Sequence, residues 1–376
     1  MMKKLVFVLV IAALLISACG GGEKATDTLE PTGVPETTDT PRPEPTKAPE
    51  ATAMPPPTPT PRPNPHARSA HKMAYDAESD QVILFGGVVS SKGWTAKDTW
   101  SYDLSTNTWQ EMKPTPSPDK GDGPMAYDAE SDRTILFVGC RFELTDKPFY
   151  CLPASETWAY DFDTNTWTNM EPAEAPYGPQ EARMVHDAES DRMILFGGWD
   201  PNKLTDDGAF NETWAYDYNT NMWTKMEPEV SPPGRYRHAM AYDAGSDRVI
   251  LWGGHGPVPV DVRSVWAYDY NTDTWEELES SGAPSPVRGA AVYDAAADRI
   301  ILYAERELWT FDYDTNTWTQ LSDSPTPGKL IGHAMVCSDE ADRVILFGGG
   351  PVYHTFYDKT WIYGLNTDTW TDVTRR

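Results

Sequence analysis

Twelve tryptophans fall in six pairs, Trp100 and Trp109, Trp158 and Trp167, Trp214 and Trp223, Trp266 and Trp275, Trp309 and Trp318, Trp361 and Trp370, and the separation is nine in every pair. A short polar turn lies between the members, as in Asp217-Tyr218-Asn219-Thr220-Asn221. Constant spacing across such a turn is what a β-hairpin in fixed register requires, because a slip of one residue would carry a tryptophan to the wrong face. Upstream of each pair runs an apolar segment: Val82-Ile83-Leu84-Phe85, Ile135-Leu136-Phe137, Ile194-Leu195-Phe196, Val249-Ile250-Leu251-Trp252, Ile300-Ile301-Leu302-Tyr303 and Val344-Ile345-Leu346-Phe347. These runs are short, rich in β-branched and aromatic side chains and bounded by turn formers, so each reads as a buried strand. Eight residues before the central isoleucine stands Tyr75, Tyr127, His186, Tyr242, Tyr293 or Cys337, closing a second, alternating stretch such as His238-Ala239-Met240-Ala241-Tyr242. Four strands per unit and six units at a period of 43 to 58 residues predict an all-β, six-bladed propeller with four antiparallel strands per blade. A propeller, unlike a solenoid, lets each sheet bury its faces against neighbouring blades. Every unit runs from first to fourth strand in one stretch, so the ring is expected to close by packing, without a shared strand.

The detail of the units resembles the kelch repeat. Phe85-Gly86-Gly87, Phe196-Gly197-Gly198, Trp252-Gly253-Gly254 and Phe347-Gly348-Gly349 carry its double glycine, Trp-x-Tyr-Asp and Thr-Asn-Thr-Trp elements follow, and Arg68-Ser69-Ala70-His71 and Arg235-Tyr236-Arg237-His238 match its opening Arg-x-x-His. The resemblance runs from about Arg68 to Val373 and implies a propeller similar to the central domain of galactose oxidase. Kelch propellers include adaptor domains, sugar oxidases, sugar-acid epimerases and many binding modules, so the resemblance speaks to fold more than to chemistry. Two units depart from it: Val138-Gly139-Cys140 replaces the double glycine in the second, and Ala304-Glu305-Arg306-Glu307-Leu308 replaces glycines and loop together in the fifth. Altered rims are expected there.

Three regions follow: residues 1–19, 20–65 and 66–376. In the first, two lysines precede the apolar run Leu5 to Ala18, too short to span a bilayer. Leu15-Ile16-Ser17-Ala18-Cys19 then resembles a bacterial lipobox, which implies lipidation of Cys19 and a membrane-anchored, extracytoplasmic protein of the cell envelope. The second region holds thirteen prolines and ten threonines in forty-six residues, too little apolar surface to fold, and reads as a disordered stalk. The third is the propeller, expected to act as a monomer.

The formal net charge is -26, from 31 Lys and Arg against 57 Asp and Glu. A phosphate backbone would meet a repulsive field, so nucleic acid is set aside as a partner. No Gly-x-Ser-x-Gly elbow, phosphate loop, dinucleotide fingerprint, EF-hand spacing or zinc-binding histidine spacing is present, and neither metal nor cofactor is expected. The tyrosine, histidine and cysteine set of the copper sugar oxidases is not placed in this sequence. Asp76 with Asp80 and Asp187 with Asp191 read as turn-capping residues.

One end of the ring, made of turns between first and second strands, is uniform and acidic. The connections between second and third strands vary in length and gather at the other end, where specificity on a repeated scaffold usually resides. First strands should line the central channel, which places Arg68, Arg183, Arg235, Arg237 and Arg288 near its mouth with His238 and His333, the latter two sharing the repeat position of His71. Arginine forks recognise carboxylates in bidentate fashion, so an anionic ligand is expected. Trp199 and His255 belong to the rim loops, and Trp94 and Trp199 are candidate platforms for a sugar ring. Cys140 and Cys151, eleven apart in one loop of an exported domain, are expected to form a disulfide. The expected function is binding of a surface protein or a carbohydrate. The alternative is a carbohydrate-active enzyme, a sugar-acid isomerase or lyase, using the same channel mouth.

Overall fold

The computed structural model describes residues 64–374, apart from 91–94, 120, 143–150, 204, 206–207, 258–263, 285–288, 322–325 and 353–354. The expected signal sequence, Cys19, the stalk as far as residue 63, Trp94 and Arg288 therefore lie outside the described residues. The described chain forms six antiparallel sheets arranged as six blades. The innermost strands are Lys72–Asp76, Met125–Asp128, Arg183–Asp187, Ala239–Asp243, Gly289–Asp294 and Ile331–Ser338. Blade 4 shows the plan: Ala239–Asp243, Arg248–Trp252, Val265–Asp269 and Thr274–Leu278 pair in sequence order. Blade 2 adds a short strand, Gly121–Asp122, on the extended end of its second strand, Arg133–Phe142.

Period-two alternation sends each second strand to two neighbours at once. Val82 and Leu84 pack with Val336, Ile345 and Phe347 of blade 6, whereas Ile83 and Phe85 pack with Met125, Leu136 and Val138 of blade 2. The hairpin that fixes the tryptophan spacing is closed by a side chain. Asn221 sits at φ 54°, in the left-handed region asparagine tolerates, and its Oδ1 accepts the Tyr216 hydroxyl at 2.9 Å. Of the repeat tryptophans, Trp158, Trp214, Trp309 and Trp361 are only half-buried, and the other eight are buried, with Trp252.

A second tryptophan contact crosses between blades. Trp109, Trp167, Trp223 and Trp275 donate Nε1–H to Thr360, Thr99, Thr157 and Thr213 of the preceding blade at 2.8–2.9 Å. The equivalent threonine is replaced by Val265 before Trp318 and by Leu308 before Trp370. Those two indole nitrogens are buried without a hydrogen-bond partner.

Segments leading into first strands join neighbouring blades. In blade 4, Arg235 N donates to Phe210 O and Arg235 O accepts from Gly198 N, both of blade 3, while Tyr236 pairs with His255 of its own blade and Arg237 N donates to Glu181 O. At the seam between the chain's ends the same pattern recurs: Arg68 N to Tyr357 O, Gly349 N to Arg68 O, Ser69 with Val88, and Ala70 N to Gly332 O. Among the described residues no strand is shared, as expected, and the seam is one more copy of the ordinary junction. The double glycine makes room for this crossing. Gly254 has φ +98°, and a Cβ there would lie 2.9 Å from both Tyr236 O and His238 Cβ.

Candidate binding site at the channel mouth

First strands of all six blades line a central channel, with a cavity of about 180 Å3 bounded by residues including Lys72, Met125, Arg183, Met240, Ala290 and His333. Above it, at the end carrying the variable loops, opens a second cavity of about 120 Å3, lined among others by Lys72, Asp122, Glu181, Arg183, Arg237 and His333, with Val352 and Phe356 contributed by a rim loop.

Repeat register explains the composition of this mouth. The position two residues before the first residue of blade 4's inner strand is Arg237, and its equivalents are Ala70, Asp122, Glu181, Arg288 and Gly332. Ala70, Glu181, Arg237 and Gly332 share positive φ of 55°, 56°, 57° and 69°, so the backbone turns into the strand in one common conformation. Two residues further in stand Lys72, Pro124, Arg183, Ala239, Ala290 and Ala334. Side chains on these two levels pair between neighbouring blades. Lys72 Nζ lies 2.7 Å from Asp122 Oδ1, and Arg237 Nε lies 2.5 Å from Glu181 Oε2. Burial pushes the Asp122 carboxyl up, yet the Lys72 ammonium and the Arg183 guanidinium together hold it below the usual carboxylate range. Burial in turn lowers Arg183, against the pull of Asp122 and Glu181. Among the described residues the mouth thus sets three cations against two carboxylates.

The sequence-predicted residues divide. Arg237 and Arg183 reach the mouth, and His333 lines both cavities. Arg68 and Arg235, expected there, turn into the wall instead: both are 0% exposed. Arg68 Nη1 donates to Gly86 O at 2.7 Å and its guanidinium holds Asp98 at 2.8 Å through both Nη atoms; Arg235 donates to Gly253 O and Pro233 O. Each braces the loop of its own blade. His238 and His71 are wall residues too, packed edge-on against Phe196 and Phe347 of the preceding blade at centroid distances of 5.7 and 5.4 Å. Burial first, then nearby arginines, keep both rings well below the ordinary histidine pKa, and burial brings His333 down to about 4.

Trp199 and His255 stand on the rim with Tyr236 between them, rings 6.2 and 5.6 Å apart, and the Arg237 guanidinium lies 5.5 Å from the Tyr236 centroid. All three rings are half-buried. Cys140 and Cys151 form a disulfide with Cα atoms 5.7 Å apart, tying the two long strands of blade 2 at the rim. In blade 5 a two-residue turn, Glu305-Arg306, joins the second and third strands, so the rim is lowest there. Lys72, Asp122, Glu181 and Tyr236 were not anticipated from sequence. Aligning the units on Tyr242 and its equivalents would have placed the first three beside Arg237 or Arg183.

A family model described as the KLHDC2/KLHL20/DRC7 kelch-repeats domain matches residues 51–229 and 129–324. The chain is 22% identical over 231 residues to Kelch domain-containing protein 10 of Rattus norvegicus, covering 57% of this chain and 52% of that protein. The Mus musculus protein of the same name gives 22% identity, with coverage of 57% and 49%. Over 154 residues the chain is 31% identical to the flagellar outer-arm dynein alpha chain of Chlamydomonas reinhardtii, covering 40% of this chain and 3% of that protein. The chain therefore spans about half the length of the first two proteins and a small fraction of the third.

Proposed function

The chain belongs to the kelch-repeat family, and we propose that its propeller is a protein-interaction module whose channel mouth takes up a carboxylate-bearing segment of a partner. One observation carries the reading: in a chain of net charge -26, a cavity at the loop end brings Lys72, Arg183 and Arg237 together against only Asp122 and Glu181 among the described residues. An incoming carboxylate would share Arg183 with Asp122 in a partly desolvated site, where charge-assisted hydrogen bonds contribute about 1.5–3 kcal/mol each. The acidic surface elsewhere would repel such a ligand and leave the mouth as its landing point. The lipobox-like segment around Cys19 would hold the module on the outer face of an envelope membrane, with the Pro/Thr region as spacer.

A second reading, an acidic glycan, is favoured by the row of Trp199, Tyr236 and His255 beside Arg237, since aromatic faces suit pyranose rings. The test is fluorescence polarisation of labelled Asp/Glu-rich peptides, their amide counterparts and uronic-acid oligosaccharides with the full chain. Acidic peptides should bind, more weakly as salt rises, and Arg183→Gln with Arg237→Gln should weaken them at least tenfold with an unchanged melting temperature. Equal binding of acidic and amide peptides would overturn the mouth as a carboxylate site, and preference for the oligosaccharides would favour the glycan.

A further inference from the structure

Away from the mouth, at the end formed by turns between first and second strands, one blade junction differs from its neighbours. In four blades a tyrosine stands next to last in the first strand and donates its hydroxyl to the aspartate five residues on: Tyr75 to Asp80, Tyr127 to Asp132, Tyr242 to Asp247 and Tyr293 to Asp298, at 2.7–3.0 Å. Three of these hydroxyls also accept an N–H from the preceding blade's turn, from Glu78, Glu189 and Gly245. Blade 3 has His186 in that place. Its Nε2 lies 3.4 Å from Asp191 Oδ1 of its own blade and 3.5 Å from Asp128 Oδ1 of blade 2.

Both distances are long for a hydrogen bond of imidazole to carboxylate. They are close to the roughly 3.3–3.4 Å that separates ligands held 2.0–2.1 Å from a tetrahedral zinc ion. The three ligand atoms lie within 4.8 Å of one another. All three side chains are largely buried, at 4%, 10% and 14% for Asp128, His186 and Asp191. The surroundings orient them: Asp128 Oδ1 accepts from Glu130 N and Ser131 N at 3.1 Å, and Asp191 Oδ2 accepts from Asn219 Nδ2 at 3.1 Å. Among the described residues Arg192 makes only a 4.0 Å ion pair with Asp191 and is directed mainly to Asp217 at 3.0 Å.

We propose that Asp128, His186 and Asp191 form a site for a divalent transition ion of the zinc class, joining blade 2 to blade 3. One imidazole and two carboxylates neutralise a 2+ ion, and solvent supplies the fourth tetrahedral position. The fold does not need the histidine, because tyrosine serves at the same position in four other blades and cysteine in the sixth. The site is independent of the channel mouth, so neither proposal depends on the other.

The experiment titrates ZnCl2 into the chelator-treated full chain and follows calorimetric stoichiometry and melting temperature. One equivalent should bind, and zinc at about a hundredfold over its Kd should raise the melting temperature by roughly 5 °C. His186→Tyr restores the residue of the neighbouring blades and should fold without that response. Should it fail to fold, Asp191→Asn carries the same test. Absence of binding to the wild-type chain at about 100 µM zinc, or a wild-type response in the folded variants, would overturn the site.

Discussion

Trp318 and Trp370 lack what four other fourth-strand tryptophans have. Where the preceding blade offers threonine, the indole N–H is bonded; where it offers Val265 or Leu308, the N–H is buried and unpaired. An unmade buried bond costs about 1–3 kcal/mol, whereas a made one nets about 1 kcal/mol. Val265→Thr, which keeps the side-chain shape, should therefore stabilise the protein by about 1 kcal/mol in denaturant unfolding, and Thr213→Val should destabilise it by about 1–2 kcal/mol. Equal midpoints for both variants and the parent would show that the indole bond is energetically idle. The buried histidines act on the same scale. The folded state keeps the His333 ring neutral down to about pH 4, while the unfolded chain protonates it near 6.5. Stability is then fully present above pH 6.5 and is lost as pH falls toward 4, by about 3 kcal/mol for this residue. His71 and His238 shift in the same direction. His333→Gln should flatten the pH dependence of unfolding between pH 6.5 and 4, and an unchanged slope would count against a neutral buried ring.

At the scale of the element, the leader into each first strand does most to build both junction and site. In blades 1 and 4 it crosses the preceding blade's loop, pairs with its own second strand, and delivers the left-handed Ala70 or Arg237 to the mouth. Gly254 is the counterpart of that crossing, and Gly254→Ala meets both an unfavourable φ and two atoms at 2.9 Å. It should cost at least about 2 kcal/mol and lower the melting temperature, unlike an alanine substitution in an exposed turn. The disulfided extension of blade 2 is the other special element. Closing a loop of eleven residues constrains the unfolded chain by about 2–3 kcal/mol, so the Cys140→Ser, Cys151→Ser pair should lower stability by that amount under non-reducing conditions. Under reducing conditions the two proteins should converge.

For the whole molecule the decisive feature is that the seam uses no special device. Arg68, Ser69 and Ala70 make at the closure what Arg235, Tyr236 and Arg237 make between blades 3 and 4, and Trp109 reaches Thr360 as Trp223 reaches Thr157. Thr360→Val should thus cost about as much as Thr213→Val, within about 0.5 kcal/mol. A markedly larger loss would show the seam to be the weak joint of the ring.

The tryptophan spacing, the isoleucine runs and the double glycines were enough to determine the number of blades, the strand order and the antiparallel register, because each is a local or next-neighbour requirement repeated six times. Closure without strand exchange was legible for the same reason. What the sequence did not expose was the direction of individual side chains within one repeat position. Arg235 and Arg237 are two apart, yet one is sealed beneath its own loop and the other faces the mouth, since the left-handed turn at Arg237 aims its side chain differently from that of Arg235. Sorting residues by type gathered arginines and passed over Asp122 and Glu181, which hold the same position in other blades. Only the ring could pair Lys72 with Asp122, or bring His186 between carboxylates of two blades. Lys72 with Asp122 and His186 with Asp128 join residues far apart in the chain, and their distances depend on how blades pack, a property that no single repeat encodes.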